Sequence, residues 1–163
     1  MTELAVQFFV FLCFNIFMDC IVYRTVRGSP SVSWVQNVLK VIERRVPRNV
    51  KQRSLSTAVL FVGDRRMQTL NRLYRSVDRP TDVLAFPLDT GHVPKQQSGI
   101  GDVIINVPYV KRQARRFDVS FEEECARMLT HGVLHLLGYT HAKRMPADTM
   151  FRLQEIIVNA ILA

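Results

Sequence analysis

The sequence predicts a single globular domain that contains both β-strands and α-helices. The chain has 163 residues and 48% of them are hydrophobic, which is enough for one sizeable core. Short β-rich runs and longer segments of helical periodicity follow one another along the chain. No internal repeat and no linker separates these segments, so we expect them to fold together.

The first predicted strand is Ile21–Val26, and a Gly-Ser-Pro break follows it. A helix then begins at Ser31 or Ser33, because either hydroxyl can cap its first turn, and it runs to about Val46. Apolar residues recur on one face of this helix. Among them, Trp34 is interpreted as an anchor of the core.

The second predicted strand is Thr57–Val62, and another helix follows it. Asp64 is expected to cap this helix, which extends to about Arg75. Helical periodicity predicts a buried face made of Met67, Leu70, Leu73 and Tyr74.

The second half of the chain predicts two strands and three helices. Val83–Phe86 is a short strand, which Pro87 either ends or places at the edge of a sheet. Asp102–Asn106 is the fourth strand. The three helices begin at about Pro108, at a capping box formed by Ser120 and Glu123, and at about Ala147.

The charge of the chain is strongly basic, with 22 Lys and Arg against 14 Asp and Glu and a formal net charge of +8. This balance favours a polyanionic partner, with nucleic acid first and an acidic membrane surface second. Nine basic residues fall in two short segments, 64–79 and 111–116. The alternative is that these charges only form solvated helical faces.

An apolar stretch occupies the N-terminus, at residues 4–18. It is shorter than the ~18–20 residues that a membrane-spanning helix needs. We interpret residues 1–17 as an extension that is either non-native, from an early start codon, or a weak anchor. Residues 18–163 are expected to form the domain, and a membrane partner is not expected.

The cysteines are few and scattered, at Cys13, Cys20 and Cys125. Their number and spacing give neither a disulfide framework nor a metal-binding pair. This usage is typical of a reducing compartment and predicts a cytoplasmic protein.

Three of the four histidines lie close together in the sequence, at His131, His135 and His141. The first two are four residues apart and share one face of a helix. Gly138 can end that helix and let the chain bring His141 back toward the pair. Three converging imidazoles are typical of an open zinc site with a fourth position left for water.

Zinc proteases of the H-E-x-x-H-x-x-G-x-x-H pattern have the same histidine spacing. They need the Glu after the first histidine as a general base, and here that position holds Gly132. The spacing is therefore retained without the base of a protease. The remaining alternative is that the histidines only pack or hydrogen-bond within the fold.

The segment His131–His141 resembles the H-G-x-L-H-L-x-G-Y-x-H signature of the YbeY family, metal-dependent endoribonucleases of ribosomal RNA maturation. LNRLYR at 70–75 with PTDVLAFP at 80–87 and GDVII at 101–105 also match. Met150 and the pair Gln154 and Glu155 resemble the family's final helix. The sequence differs at Ala85 and Thr140, where the family frequently has Ser and Asp, and residues 1–17 have no counterpart.

The resemblance implies an α+β fold, with a small mixed four-stranded sheet packed with about five helices. It implies that His131, His135 and His141 bind one Zn²⁺ per chain and that Arg75 is a catalytic residue beside them. The implied substrate is single-stranded RNA, with roles in small-subunit ribosomal RNA maturation and ribosome quality control. The implied partner is the small ribosomal subunit, in the cytoplasm or in an organelle of bacterial origin.

Several points stay open at the level of sequence. The chemistry allows attack by a metal-activated water or by the RNA's own 2′-hydroxyl, and Arg75 could instead form a structural ion pair with Asp78 or Asp82. A carboxylate is expected to orient the histidines, and the candidates are Asp82, Asp102 and Glu155. The alternative functions are a zinc metalloprotease-like hydrolase and a non-catalytic ribosome-assembly factor whose zinc is structural.

Overall fold

The computed structural model describes residues 20–47, 56–88, 99–139 and 147–163. It shows a four-stranded mixed sheet with the strand order β1-β2-β4-β3. The strands are β1 (Cys20–Arg24), β2 (Thr57–Val62), β3 (Val83–Pro87) and β4 (Gly101–Asn106). Strands β1, β2 and β4 run parallel, and β3 pairs antiparallel with β4 at one edge. The predicted fold class is confirmed.

Five helices surround this sheet in the part of the chain that the structure describes. They are α1 (Val32–Arg45), α2 (Asp64–Arg75), α3 (Val107–Phe117), α4 (Phe121–Leu136) and α5 (Ala147–Leu162). Within the same residues, no helix is long and apolar enough to cross a membrane. The predicted extension at residues 1–17 lies outside the described residues.

The two faces of the sheet carry cores of different size. Val59, Phe61, Val103 and Ile105 point to the larger core, which α1, α3, α4 and α5 complete. On the opposite face, Leu84 and Ile104 pack with Met67 and Leu70 of α2 in a smaller cluster. Because side chains alternate along a strand, β2, β3 and β4 contribute to both cores. Helices α2 and α4 therefore lie on opposite faces of the sheet.

The predicted cap of α2 is wrong. Gly63 occupies the cap position without a side-chain hydrogen bond, and Asp64 is the first helical residue. The Asp64 carboxylate instead accepts two hydrogen bonds from Arg112 of α3, at 2.8 and 2.9 Å, and one from Asn106 at 3.0 Å. A charged bidentate partner competes effectively with backbone N–H groups for a carboxylate.

The predicted burial of the end of α2 is also wrong. Met67 and Leu70 are buried, but Leu73 is 62% exposed and Tyr74 is 50% exposed. Tyr74 contacts Phe86 of β3, so the last turn of the helix lies over the edge strand, where the sheet ends. The apolar face of a helix is buried only where another element, here the sheet, packs against it.

Two smaller expectations also change. Strand β1 ends at Arg24 rather than at Val26. At the start of α4, Ser120 caps the helix by accepting a hydrogen bond from the Glu123 N–H, at 3.0 Å. The Glu123 carboxylate does not complete the capping box, because it binds Arg127 at 3.0 Å. Trp34 is partly buried against the larger core, as expected.

Candidate functional site

Helix α4 places His131 and His135 one turn apart on the same face, as the sequence predicts. Their Nε2 atoms lie 3.0 Å from each other, and their rings meet edge to face with centroids 4.6 Å apart. The two imidazoles thus converge on one point. His141, the third predicted ligand, lies outside the described residues.

The Nδ1 atom of His135 forms a hydrogen bond with the backbone. Its Nδ1–H donates to the Tyr139 carbonyl at 2.8 Å. This carbonyl is in reach because Gly138 adopts a left-handed conformation, with φ 88°, and turns the chain back after α4. A carbonyl can only accept, so the proton of this ring is on Nδ1.

The Nδ1 atom of His131 forms a hydrogen bond with a side chain of α5. His131 Nδ1 lies 2.9 Å from Oε1 of Gln154, which is only 4% exposed. The Gln154 amide nitrogen donates to Glu155 at 3.1 Å, and this fixes which end of the amide faces the histidine. Gln154 is therefore an acceptor, and His131 carries its proton on Nδ1.

These two hydrogen bonds set the tautomer of each ring and therefore determine whether its Nε2 atom carries a lone pair. With both protons on Nδ1, each Nε2 presents a lone pair, and the two lone pairs face each other across 3.0 Å. Such an arrangement favours a shared cation. Two imidazole nitrogens on one tetrahedral zinc ion lie about 3.3 Å apart, given Zn–N bonds of about 2.0–2.1 Å. The donor set and its spacing fit a divalent metal.

The Glu155 carboxylate that accepts from Gln154 belongs to an ion-pair network. Arg127 of α4 binds Glu155 at 3.1 Å, Glu123 at 3.0 Å and the buried Glu124 at 2.6 Å. Burial alone would raise the pKa of Glu155, but the hydrogen bonds from Arg127 and Gln154 outweigh it and lower that pKa. Burial would likewise lower the pKa of Arg127, and its three carboxylate partners raise it. The network joins α4 to α5 beside His131.

Gly132 lies against the sheet. A Cβ atom at this position would approach Val103 Cγ1 to 2.7 Å and Val83 Cγ2 to 3.3 Å. Helix α4 can pack this closely only because residue 132 has no side chain. The position that holds the general base in H-E-x-x-H proteases therefore faces the core in this chain.

Arg75 is the last residue of α2 and is exposed. Its side chain forms no hydrogen bond or ion pair with any residue in the described ranges. Of its two suggested partners, Asp78 pairs with Arg72 at 4.0 Å and Asp82 accepts from Gln113 at 3.0 Å. Arg75 and the histidines belong to helices on opposite faces of the sheet, with edge strand β3 beside both. No hydrogen bond joins them.

A protein-family model described as Endoribonuclease YbeY matches residues 24–162. The chain belongs to the YbeY family.

Relatives and a solved structure agree with this assignment. An Endoribonuclease YbeY of Persephonella marina is 38% identical over 109 residues, which cover 66% of this chain and 71% of the relative. One of Shouchella clausii is 37% identical over 142 residues, covering 82% and 87%. The solution structure of TM1509 from Thermotoga maritima is 29% identical with a TM-score of 0.60, covering 87% of this chain and 88% of that one.

Among the described hydrogen bonds of His131 and His135, none goes to the three carboxylates expected beside the histidines of this YbeY domain. Asp82 binds Gln113 and its own turn. Asp102 pairs with Phe86 on the α2 side of the sheet, where burial raises its pKa. Glu155 acts only through Gln154. The partner that sequence reasoning missed, Gln154, had a signal: it shares the buried face of α5 with Met150 and Ile157 at helical spacing.

The two described cysteines of the YbeY domain are poor nucleophiles. Burial raises the pKa of the Cys20 thiol to about 11 and that of Cys125, with help from Glu122 and Glu124, to about 12. Reactive cysteines have lowered pKa values and stand in electropositive surroundings. The histidine pair is thus the chemically distinctive group of the described residues.

Proposed function

We propose that the chain is a zinc-dependent endoribonuclease that cleaves single-stranded RNA. The observation that carries the proposal is the histidine pair of α4, whose Nδ1 protons are both bound by protein acceptors while the Nε2 atoms meet 3.0 Å apart. Family membership and the name endoribonuclease of the relatives support the reaction class.

His131 and His135 would hold the metal, and His141 is proposed as the third ligand. A bound zinc ion supplies Lewis-acid chemistry in hydrolases with three protein ligands. The surrounding residues act by holding protons. The Tyr139 carbonyl and the Gln154 amide hold the Nδ1 proton of each ring, so Nε2 is the nitrogen that would face the metal.

Arg75 is proposed to bind phosphoryl oxygens of the RNA. A guanidinium is planar and permanently charged and can donate two parallel hydrogen bonds to a phosphate. Negative charge on these oxygens increases during phosphodiester cleavage, so a fixed cation stabilises the transition state. No described carboxylate neutralises Arg75, so its charge is available to a substrate that passes over the β3 edge.

The proposed substrate is ribosomal RNA, with the small ribosomal subunit as partner and with roles in its maturation and in ribosome quality control. The net charge of +8 and the arginines of α2 and α3 support a polyanionic partner. The proposed compartment is the cytoplasm or an organelle of bacterial origin.

The wild type, His131→Ala and Arg75→Ala are prepared free of nucleases and incubated with zinc. Each protein is then assayed for zinc content and for cleavage of single-stranded RNA and of casein. We expect the wild type to cut RNA and to leave casein intact. His131→Ala should lose zinc and cleavage together. Arg75→Ala should keep its zinc and cut about 10²- to 10³-fold more slowly.

Arg44→Ala is the matched control, because Arg44 is an exposed arginine at the end of α1, remote in sequence from the site, and its loss should change nothing. Equal RNA cleavage by His131→Ala would refute the proposed active site. A zinc-loaded wild type that leaves RNA intact would instead indicate an assembly factor with structural zinc. Cleavage of casein would indicate a protease.

A further inference from the structure

The last turn of α2 exposes an apolar surface. Leu73 is 62% exposed, Tyr74 is 50% exposed and Val77, just beyond the helix, is 36% exposed. We refer to these three residues as the α2 patch. Single exposed apolar side chains are common on proteins, but neighbouring ones mark surfaces that bind something.

Within the α2 patch, Tyr74 has an aromatic neighbour. Its ring meets the ring of Phe86 on β3 at a centroid distance of 4.9 Å and an interplanar angle of 68°. In an edge-to-face pair, the contact uses at most one face of one ring, so each ring keeps a face that the other does not cover. Tyr74, being half exposed, can offer such a face to a planar group from solution.

Arginines neighbour Tyr74 in the sequence. Arg72, Arg75 and Arg79 are all exposed, and Asp78 is the single acidic residue between them in the sequence. Only Arg72 approaches Asp78, at 4.0 Å, while Arg75 and Arg79 form no side-chain ion pair within the described ranges. Aromatic faces interleaved with unpaired cations are complementary to single-stranded nucleic acid, whose unstacked bases and phosphates alternate.

The position of the aromatic pair also suits the substrate path. Phe86 lies on edge strand β3, three residues after Val83. Val83 packs beside Gly132, which lies between His131 and His135 in the sequence. Three residues of a strand span about 10 Å, and the side chains of Val83 and Phe86 point to opposite faces of the sheet, so an RNA strand that contacts both Tyr74 and the histidines would pass around the β3 edge. In the described residues β3 pairs only with β4, so its other edge has no strand partner there.

We propose that Tyr74, supported by Phe86, is a stacking site for one nucleobase of single-stranded RNA next to the cleavage site. The inference rests on the proposed function and names a specific contact for its substrate. Arg75 then binds the phosphate beside the base that Tyr74 holds. A base within a duplex is already stacked on both faces, so this site selects unpaired RNA.

The test measures RNA binding by the full chain in a His131→Ala background, which prevents cleavage. The probe is a short single-stranded RNA with 2-aminopurine placed at one position at a time. Tyr74→Ala should weaken binding about 5- to 150-fold, the range that one base–aromatic stack provides. It should also abolish the fluorescence quenching at one position and leave the salt dependence of binding unchanged, because no phosphate contact is lost.

Two variants serve as matched controls. Tyr74→Phe keeps the ring and should bind like the parent, and Leu73→Ala removes a more exposed apolar side chain from the same turn and should bind within about twofold of it. The proposal is overturned if Tyr74→Ala binds like the parent. It is also overturned if Leu73→Ala weakens binding equally, because the effect would then not be specific to the aromatic ring. A change of oligomeric state in Tyr74→Ala would overturn it too, since the α2 patch would then be a protein-docking surface.

Different results would refute the proposed function and the stacking site. A parent chain that binds no RNA would remove the proposed function together with the stacking site. A wild type that cuts RNA while Tyr74→Ala binds it equally well would remove the stacking site alone.

Discussion

At the scale of single residues, the chemistry of the histidine pair depends on where two protons are. His135 is fixed by a backbone carbonyl and His131 by the amide of Gln154, so the two rings differ in how easily a mutation can disturb them. Hydrogen bonds of this kind set the tautomer and orientation of metal ligands. An amide acceptor fixes the ring without adding a negative charge, and the Gln154 amide nitrogen in turn donates to the Glu155 carboxylate.

Replacing Gln154 should therefore weaken metal binding without unfolding the domain. We expect Gln154→Leu to lower zinc affinity about 10- to 100-fold, because His131 loses the acceptor that fixes its tautomer. Gln154→Glu keeps an acceptor at the same place and should bind zinc at least as tightly as the wild type. The measurement is a competition titration with a chromogenic zinc chelator.

Ile156→Ala is the control for this series, since Ile156 is 53% exposed on the same helix and should not affect the affinity. Unchanged zinc affinity in Gln154→Leu would show that the hydrogen bond has no part in the site.

At the scale of secondary structure elements, the close approach of α4 to the sheet positions the histidines. Gly132 lies between His131 and Val133 and leaves room for Val103, a branched side chain that cannot swing away easily. In an exposed helix, Gly→Ala would stabilise by up to about 1 kcal/mol. Here the added methyl group would overlap Val103 Cγ1 at 2.7 Å, so packing and propensity oppose each other.

We expect packing to prevail at Gly132. Gly132→Ala should lower the free energy of unfolding by about 1–3 kcal/mol, the usual cost of overpacking a core. The same substitution in a Val103→Ala background should cost clearly less, because the clashing methyl groups are gone. Urea denaturation of the four proteins of this double-mutant cycle measures the coupling, and a stabilised Gly132→Ala would contradict the packing argument.

A second link between elements joins α2 to α3. Asp64 binds Arg112 through two hydrogen bonds, and Asn106 at the end of β4 donates to the same carboxylate. The hydrogen bonds from Arg112 are the main cause that lowers the pKa of Asp64, and they outweigh its partial burial. The ionised carboxylate is therefore the form that stabilises the folded state.

The contribution of Asp64 should depend on pH with a definite sign. A lowered pKa in the folded state means that the stabilisation is complete above the unfolded pKa of about 3.9 and is lost as the pH falls through the folded value. Asp64→Asn should lower the free energy of unfolding by about 1 kcal/mol or less at pH 7, as for exposed ion pairs. The difference from the wild type should shrink as the pH falls below the unfolded pKa and should be smaller at pH 3 than at pH 7.

Asp78→Asn is the control, because Asp78 is more exposed and its contact with Arg72 is 4.0 Å long. It should leave stability unchanged at both pH values. A deficit of Asp64→Asn that is the same at pH 3 and pH 7 would show that the charge of Asp64 is not its cause.

At the scale of the whole molecule, local patterns predict the elements well and their arrangement less well. All four predicted strands and five predicted helices are present in the described residues, and α5 begins at the predicted Ala147. Pro87 correctly indicates an edge strand, since it ends β3 at the border of the sheet. The family resemblance implies a small mixed four-stranded sheet, but neither it nor the local patterns predict the insertion of β4 between β2 and β3, because pairing between distant strands leaves no periodic signal.

The parts of the site that the sequence does not predict are those that depend on packing between elements. Gln154 is 23 residues from His131 and meets it only because α5 lies against α4. Tyr74 continues the buried stripe of α2 by periodicity, yet it is exposed because the sheet ends beneath it at β3. Helical spacing predicts the convergence of His131 and His135, since both belong to one helix.

We propose that this histidine site, loaded with one metal ion, makes the chain an endoribonuclease. The most direct measurement is the initial rate of single-stranded RNA cleavage as zinc is added stepwise to metal-free, nuclease-free protein. We predict that the rate rises in proportion to zinc and stops rising at about one equivalent per chain, and that His135→Ala treated in parallel stays inactive. A cleavage rate that does not depend on zinc, or that is the same in His135→Ala, would contradict the account.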